Sequence, residues 1–387
     1  MCKRTLTSFL LLMLILGVPA ALGQATPSVA PQFAQTPKPP NPPKTVKPEK
    51  APAATPAPRD EAGEPIQVAP VNVKLARGGK VAISSRSGRI AVSGWDRDVV
   101  QATATGDNGP VPIETQTTGD QSHPRLLLIV PSGLARRISR DARLDVKVPR
   151  YADLETLEGY RGDIEVSDVD GATLIGAGNG DVTISRVGSL KVSRRSGDVR
   201  VREVKGDLTA RSFNGDVVVE GVTGMVDVAA TNGDLRVNNA GGDVRANSAT
   251  GDIVLRCAKG RVEAASASGS ITLIGVGGDA EASTASGEVI FRGAIRSGGN
   301  YRLKSLSGQV VMTIQPDVPG FAATLTTYSG DIDTEFPLKV ESPIQGGPIN
   351  RRIIGVFGNG QAKLSLDSFS GTVKIAKGTA ASLKDCK

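Results

Sequence analysis

The side chains able to do bond-making chemistry are few in this sequence. His123 is the only histidine, and it stands in a polar stretch between apolar runs. A Ser-His-Asp or Cys-His relay needs an imidazole beside its nucleophile, and no Gly-x-Ser-x-Gly elbow accompanies this one. One histidine cannot make a histidine-rich metal site, and no phosphate-cradling Gly-x-x-x-x-Gly-Lys-Ser/Thr loop occurs. Beyond the leader the cysteines are Cys257, near a repeat corner, and Cys386, in a charged tail. Spacing alone does not pair them. Arg161-Gly162-Asp163 spells a cell-attachment tripeptide, but the repeat demands Gly-Asp there, so the match is cheap. No catalytic, cofactor-binding or metal-binding residue is nominated.

Charge offers more than nucleophiles do. The chain carries 46 Lys and Arg against 39 Asp and Glu, a formal charge of +7. Arg136, Arg137, Arg140 and Arg143 lie close together. Arg194, Arg195, Arg200, Arg202 and Arg211 gather on neighbouring repeats and form the candidate site for a polyanion. Acidic residues recur with equal regularity: Asp163, Asp181, Asp198, Asp216, Asp234 and Asp252 each follow a glycine. Each is expected to accept a turn N–H and face water. Calcium-binding nonapeptide loops need a richer Gly-Gly-x-Gly-x-Asp pattern, so no metal is assigned.

The elements that must hold these residues are written in the glycines. They stand at 188, 197, 206, 215, 224, 233, 242, 251, 260, 269, 278 and 287, each nine after the last. After each comes a short alternating run such as Asp216-Val217-Val218-Val219 or Asp252-Ile253-Val254-Leu255, the period of a half-buried strand. Units alternate in kind. One class carries large apolar residues at both inward positions. The other tends to place alanine second, as at Ala210, Ala246, Ala264 and Ala282. Two units make an 18-residue coil, and stacked coils put equivalent residues in ladders about 4.8 Å apart. Small polar residues before first-class glycines (Asn214, Asn232, Thr250, Ser268) and hydroxyls at Ser212, Ser248, Ser266 and Thr284 are expected to satisfy turn groups. The fold class is therefore all-β, a parallel β-helix or β-solenoid. Aromatics at 3% and 46 glycines suit such a thin aliphatic core.

Outside the repeats, residues 1–23 read as an export signal: Lys3 and Arg4, then an apolar stretch from Phe9 to Val18, then Ala21-Leu22-Gly23. Residues 24–65 form a disordered proline-rich linker, since thirteen of the 24 prolines lie between Pro27 and Pro70. Residues 66–150 are a β region continuous with the solenoid, 151–335 the regular solenoid, and 336–387 a loop, a final coil or cap, and a tail. No later run is long and apolar enough for a membrane span.

Gly88-Arg89-Ile90-Ala91-Val92-Ser93-Gly94-Trp95-Asp96, Val146-Lys147-Val148-Pro149, Ser329-Gly330-Asp331-Ile332 and Ser370-Gly371-Thr372-Val373 fall in a recognisable order. In these the chain resembles the bacterial "putative adhesin" family of unknown function, across roughly residues 66–376. The resemblance implies a parallel β-helix and an envelope location. The expected product is an exported, extracytoplasmic, non-enzymatic module for adhesion or cell-envelope binding, with envelope polysaccharide or another surface polymer as partner. Self-association as an envelope scaffold is the alternative, and a carbohydrate-active β-helix enzyme a more remote one. Nucleic acid is not an expected partner, because stacking aromatics are scarce.

Overall fold

A computed structural model describes residues 69–106, 109–120, 123–130, 143–156, 161–176, 178–340, 351–378 and 386. The expected signal segment and proline-rich linker lie outside these residues, as do Arg136, Arg137 and Arg140. The described residues form thirty-two strands, numbered β1–β32 in chain order, and no helix among them could cross a membrane.

Each nine-residue unit is a strand, and successive units fall alternately into two 16-stranded sheets. In the first sheet β14 (Val199–Val204) pairs in parallel with β16 (Val217–Val222), setting Val199 against Val217 and Val201 against Val219. In the second, β15 (Leu208–Asn214) pairs with β17 (Val226–Asn232), setting Ala210 against Val228 and Asn214 against Asn232. The register step is 18 residues, the expected coil. First-class units supply the first sheet and second-class units the second. Ala246, Ala264 and Ala282 stack in the second sheet, while Leu255, Leu273 and Phe291 form a ladder in the first. Large residues on one wall thus complement small ones on the other, and the core stays narrow, continuous and dry.

Two physical reasons place glycine at the corners. At Gly215 φ is +130°, and a Cβ would overlap the carbonyl oxygen of Gly197 in the coil before. At Gly242 φ is not positive, but a Cβ would stand 2.6 Å from the carbonyl oxygen of Gly224. First-class glycines are thus needed for both handedness and close approach, second-class ones for close approach alone.

The corner ladders expected from the sequence form. Asn232 Nδ2 donates to Asn214 Oδ1 at 2.8 Å, and Thr250 Oγ1 donates to Asn232 Oδ1 at 2.9 Å. Thr284 Oγ1 donates to the Gly269 carbonyl at 2.9 Å, and Ser248 and Ser266 point at the matching carbonyls of Gly233 and Gly251. Ser212 departs from the set, since its hydroxyl has no hydrogen-bond partner. The aspartates behave as one system: the backbone N–H groups of Asp181, Asp198, Asp216, Asp234 and Asp252 each donate to the carboxylate one coil earlier, at 2.9–3.0 Å.

The two ends depart from simple winding. At the start, the coil of β2 (Lys80–Ser84) and β3 (Arg89–Trp95) lies between two others. On one side is the later coil of β7 (Arg125–Ile129) and β8 (Arg143–Pro149), and on the other β9 (Asp153–Thr156) and β10 (Ile164–Val169). At the finish, the coil of β31 (Ala362–Ser370) and β32 (Val373–Lys377) is inserted in the same manner. It separates β25 (Asn300–Ser307) and β26 (Val310–Ile314) from β27 (Gly320–Ser329) and β28 (Ile332–Thr334). Antiparallel strands then cover several open edges: β1 (Val71–Lys74) on β4 (Val99–Gly106), β6 (Glu114–Thr118) on β7, and β30 (Arg351–Gly358) on β27.

Two substitutions separate handedness from close approach. Gly298 has φ +73° with open space around it, so Gly298→Ala is expected to cost about 1 kcal/mol from backbone strain alone. Gly233→Ala, at φ +139°, meets greater strain and also overlaps the Gly215 carbonyl, so a cost of about 3 kcal/mol or more is expected. Urea unfolding of both variants checks this, and equal midpoints would contradict the packing account.

Candidate binding groove

The five arginines singled out in the sequence do not converge. Arg194 is 3% exposed, and its guanidinium donates to the carbonyls of Gly180 and Gly162, so it holds a corner from inside. It sits in register with Ser212, where other coils carry a hydroxyl. Arg200 pairs with Asp198 at 2.8 Å and Arg202 with Glu220 at 3.1 Å, both on β14. Arg211, on β15 in the other sheet, pairs with Asp227 at 2.9 Å. Arg195 is exposed and makes no ion pair with a described residue. Arg143, of the other cluster, is engaged by Asp145. The nominated patch is thus one buried residue, three paired ones and one exposed cation without an ion pair among the described residues, spread over two sheets.

A different feature runs along one edge of the rod. Near the end of the first-sheet strands from β10 to β20 (Ile253–Ala258) one residue leaves the ladder: Ser185 pairs with Arg202 and Val187 with Val204, so Arg186 and Glu203 between them stand outside the pairing. At this place Asp168, Arg186, Glu203, Asn239 and Cys257 all have φ between +53° and +61°, and Gly221 and Gly275 continue the series at +72° and +65°. These seven residues take the left-handed turn in seven successive coils, and the groove beside them holds about 760 Å³. Rungs ~4.8 Å apart make it about 29 Å long. Its floor is narrow and apolar where Val204, Val222, Ala240 and Ala258 turn back inward.

Charge is concentrated at the groove's start. The Asp168 carboxylate accepts Arg186 Nε at 2.7 Å and Nη2 at 2.9 Å, and Arg150 Nη1 lies 3.5 Å away. Arg150 in turn donates through Nε to Asp96 at 3.0 Å. The Arg186 hydrogen bonds, with the charges of Arg186 and Arg150, hold Asp168 below the usual carboxylate range. Farther along, Lys205 Nζ pairs with Asp170 at 2.7 Å, while Lys259 and Glu203 make no ion pair with a described residue. The groove therefore mixes both signs over an apolar floor.

Its far end is closed by a disulfide. Cys257, on the left-handed ladder, is bonded to Cys386 with Cα atoms 5.4 Å apart. Spacing offers no reason to join them, because 129 residues intervene and only the stacked coils determine the distance. A Cβ at Gly275 would overlap the Cys386 sulfur, so the next rung must be glycine for the bridge to fit. Among the described residues no cluster of histidine, cysteine and acidic side chains is arranged to hold a metal.

The Toastrack family model, DUF4097, matches residues 79–274 and 258–376, which together span most of the chain. The chain belongs to the Toastrack DUF4097 family. This agrees with the adhesin-type family of unknown function suggested by its motifs. No curated protein matches the Toastrack chain. Among solved structures, it is similar to a "putative adhesin" from Bacteroides fragilis, with 13% identity over 80% of this chain and 97% of the other, at a TM-score of 0.33. It is also similar to a "putative cell adhesion protein" from Clostridium sporogenes, with 8% identity over 81% of this chain and all of the other, at a TM-score of 0.18. Superpositions this loose carry no structural argument, so the groove of the Toastrack solenoid has to be judged on its own geometry.

Two measurements test that geometry. Cys386→Ser opens a long covalent loop and is expected to lower stability by about 2–4 kcal/mol. Its check is the urea midpoint, together with a thiol assay that finds no free thiol in the unreduced chain lacking residues 1–23. Asp168 is the pH-sensitive member of the Arg150–Asp168–Arg186 set. Its folded-state pKa is depressed, so its contribution to stability is complete above the unfolded value of about 4 and fades as pH falls through the folded one. Arg186→Gln is expected to move the Asp168 carboxyl upward in an NMR titration and to shift acid unfolding to higher pH. An unchanged titration would show that Arg186 does not set it.

Proposed function

We propose that this chain is an exported, non-enzymatic β-solenoid that holds an extended envelope polysaccharide along its edge, as an adhesion or envelope-binding module. One observation carries the reading: the same left-handed turn recurs in seven consecutive coils and leaves an open groove about 29 Å long with an apolar floor and charged groups of both signs on its walls. A linear polymer with a repeat near 5 Å can present equivalent groups to successive rungs, so weak contacts add along the chain. Hydroxyl-rich sugars suit the floor and rim, since the charged side chains can accept or donate hydrogen bonds without demanding a single net charge. The names borne by the two adhesin-type neighbours are consistent with this reading.

The disulfide supports an extracytoplasmic site of action. Structural disulfides persist in oxidising compartments and are rare where thiols are kept reduced. An export signal over residues 1–23 and a proline-rich tether over 24–65 would place the solenoid outside the cytoplasm and at a distance from its anchorage. The scaffold alternative draws less support, because antiparallel β1, β6 and β30 cover strand edges at which coils would otherwise join end to end.

Co-sedimentation of the mature chain with purified cell-wall and outer-membrane polysaccharide is the test. Lys205→Glu with Lys259→Glu places two acids on the groove wall and is expected to weaken capture about tenfold, or roughly 1.4 kcal/mol. The double variant of Arg200 and Arg202 to Glu, on the first sheet's outer face, is expected to leave capture unchanged. Equal loss in both variants would mean that net charge and not the groove governs attachment.

A further inference from the structure

The only tryptophan of the chain stands beside the groove's entrance. Trp95 is the last residue of β3, and its backbone carbonyl accepts the N–H of Arg150, the arginine that opens the groove. Its indole Nε1 donates to the Val99 carbonyl at 2.7 Å, which closes the turn from 95 to 99 and fixes the ring's position. The ring is half-buried on the outer side of the first sheet. Two cations lie against it: Arg97 Cζ is 5.0 Å and Lys147 Nζ 5.6 Å from ring centroids of the indole. Both side chains are exposed, and neither makes an ion pair with a described residue. The acids close by are engaged elsewhere. Asp96 pairs with Arg150, Asp98 accepts the Tyr151 hydroxyl, and Asp145 pairs with Arg143.

We propose that Trp95, Arg97 and Lys147 form a subsite for one acidic sugar residue, a uronate, at the end of the polysaccharide that the groove holds. This rests on the groove reading for its polymer, but its geometry is separate. A pyranose has an apolar C–H face of about the size of an indole, and a carboxylate on the ring's edge can reach both cations. The cation–π contacts hold Arg97 and Lys147 at the ring before any ligand arrives, and a stacking sugar exchanges them for C–H contacts with the indole while its carboxylate keeps both cations at the ring's edge. A neutral sugar could stack but would leave both cations without a counter-charge. An acidic peptide could pair with the cations but would bring no C–H face to the ring. The single tryptophan argues against nucleic acid, whose successive bases need successive stacking rings.

The same residue supplies the measurement, since all indole fluorescence of the chain comes from position 95. The mature chain is titrated with trigalacturonate, maltotriose and triglutamate, first in low salt and then in 0.5 M NaCl. Trigalacturonate is expected to change the emission saturably and to lose about tenfold in affinity in high salt, while the other two leave it unaltered. Arg97→Ala with Lys147→Ala keeps the fluorophore and the Val99 hydrogen bond, and is expected to weaken trigalacturonate at least tenfold. No response to trigalacturonate, or an equal response to maltotriose or triglutamate, overturns the subsite. Lys205→Glu with Lys259→Glu should leave this short ligand unaffected. If polymer capture still falls in that variant while Trp95 stays silent, the groove stands and the subsite does not. If Trp95 titrates while capture ignores the groove variants, the subsite stands and the groove does not.

Discussion

The contact on which the rest depends is between backbones. At each first-class corner a glycine lies directly over the carbonyl of the glycine one coil earlier, close enough that Gly180, Gly215, Gly233, Gly251 and Gly287 admit no side-chain atom. That proximity sets the 18-residue step, and everything that repeats inherits it. The inward Val, Ile and Leu stack because their corners stack, and so do the polar side chains between them. Sheets of sixteen strands would ordinarily twist and curl. Here every coil is tied to its neighbours at both corners, and the two sheets stay facing each other over a thin core. A large side chain at one corner therefore disturbs more than its own strand.

Stacking also brings like charges together, and magnitudes show why this is tolerated. Unit charges one rung apart in water repel by roughly 0.9 kcal/mol, whereas a hydrogen bond to a charged acceptor contributes about 1.5–3 kcal/mol. Each aspartate of the ladder accepts the next aspartate's N–H, so the favourable term exceeds the repulsion. Arg200 and Arg236 then bridge two successive carboxylates each, reducing the repulsion further. The ladder is thereby complete without a cation. Charges at the groove are arranged otherwise: Arg150, Asp168 and Arg186 form a compact set at one end, and Lys259 at the other makes no ion pair with a described residue.

What the sequence discloses follows from what repeats in it. Glycine at every ninth place, alternation after it, alanine in most second-class units and aspartate behind many first-class glycines are chemical regularities, and each became a structural one. The left-handed ladder was hidden because its members are chemically unlike. Asp168, Arg186, Glu203, Asn239 and Cys257 share a backbone conformation and nothing else, with Gly221 and Gly275 the only conventional occupants. Arg194 misled for the opposite reason, since an arginine in a run of arginines looks exposed. Its place opposite Ser212 in the register sends it inward to cap two glycine carbonyls. The Cys257–Cys386 bridge joins a rung to a distant tail, and nothing local encodes that distance.

The ends give the last step. A solenoid wound strictly in sequence would leave its first and last coils each paired on one side only. Here the coil of β2 and β3 and the coil of β31 and β32 are both inserted between two others, so the outermost regular strands of the sequence are among the best paired. The strands left outside are short, polar or antiparallel: β6 is exposed throughout, and β28 has three residues. Such edges are poor templates for a further parallel coil. Among the described residues the solenoid thus ends in edges that are short, polar or antiparallel, while the groove along its side stays open, so its longest accessible surface runs along that edge and not across its tips.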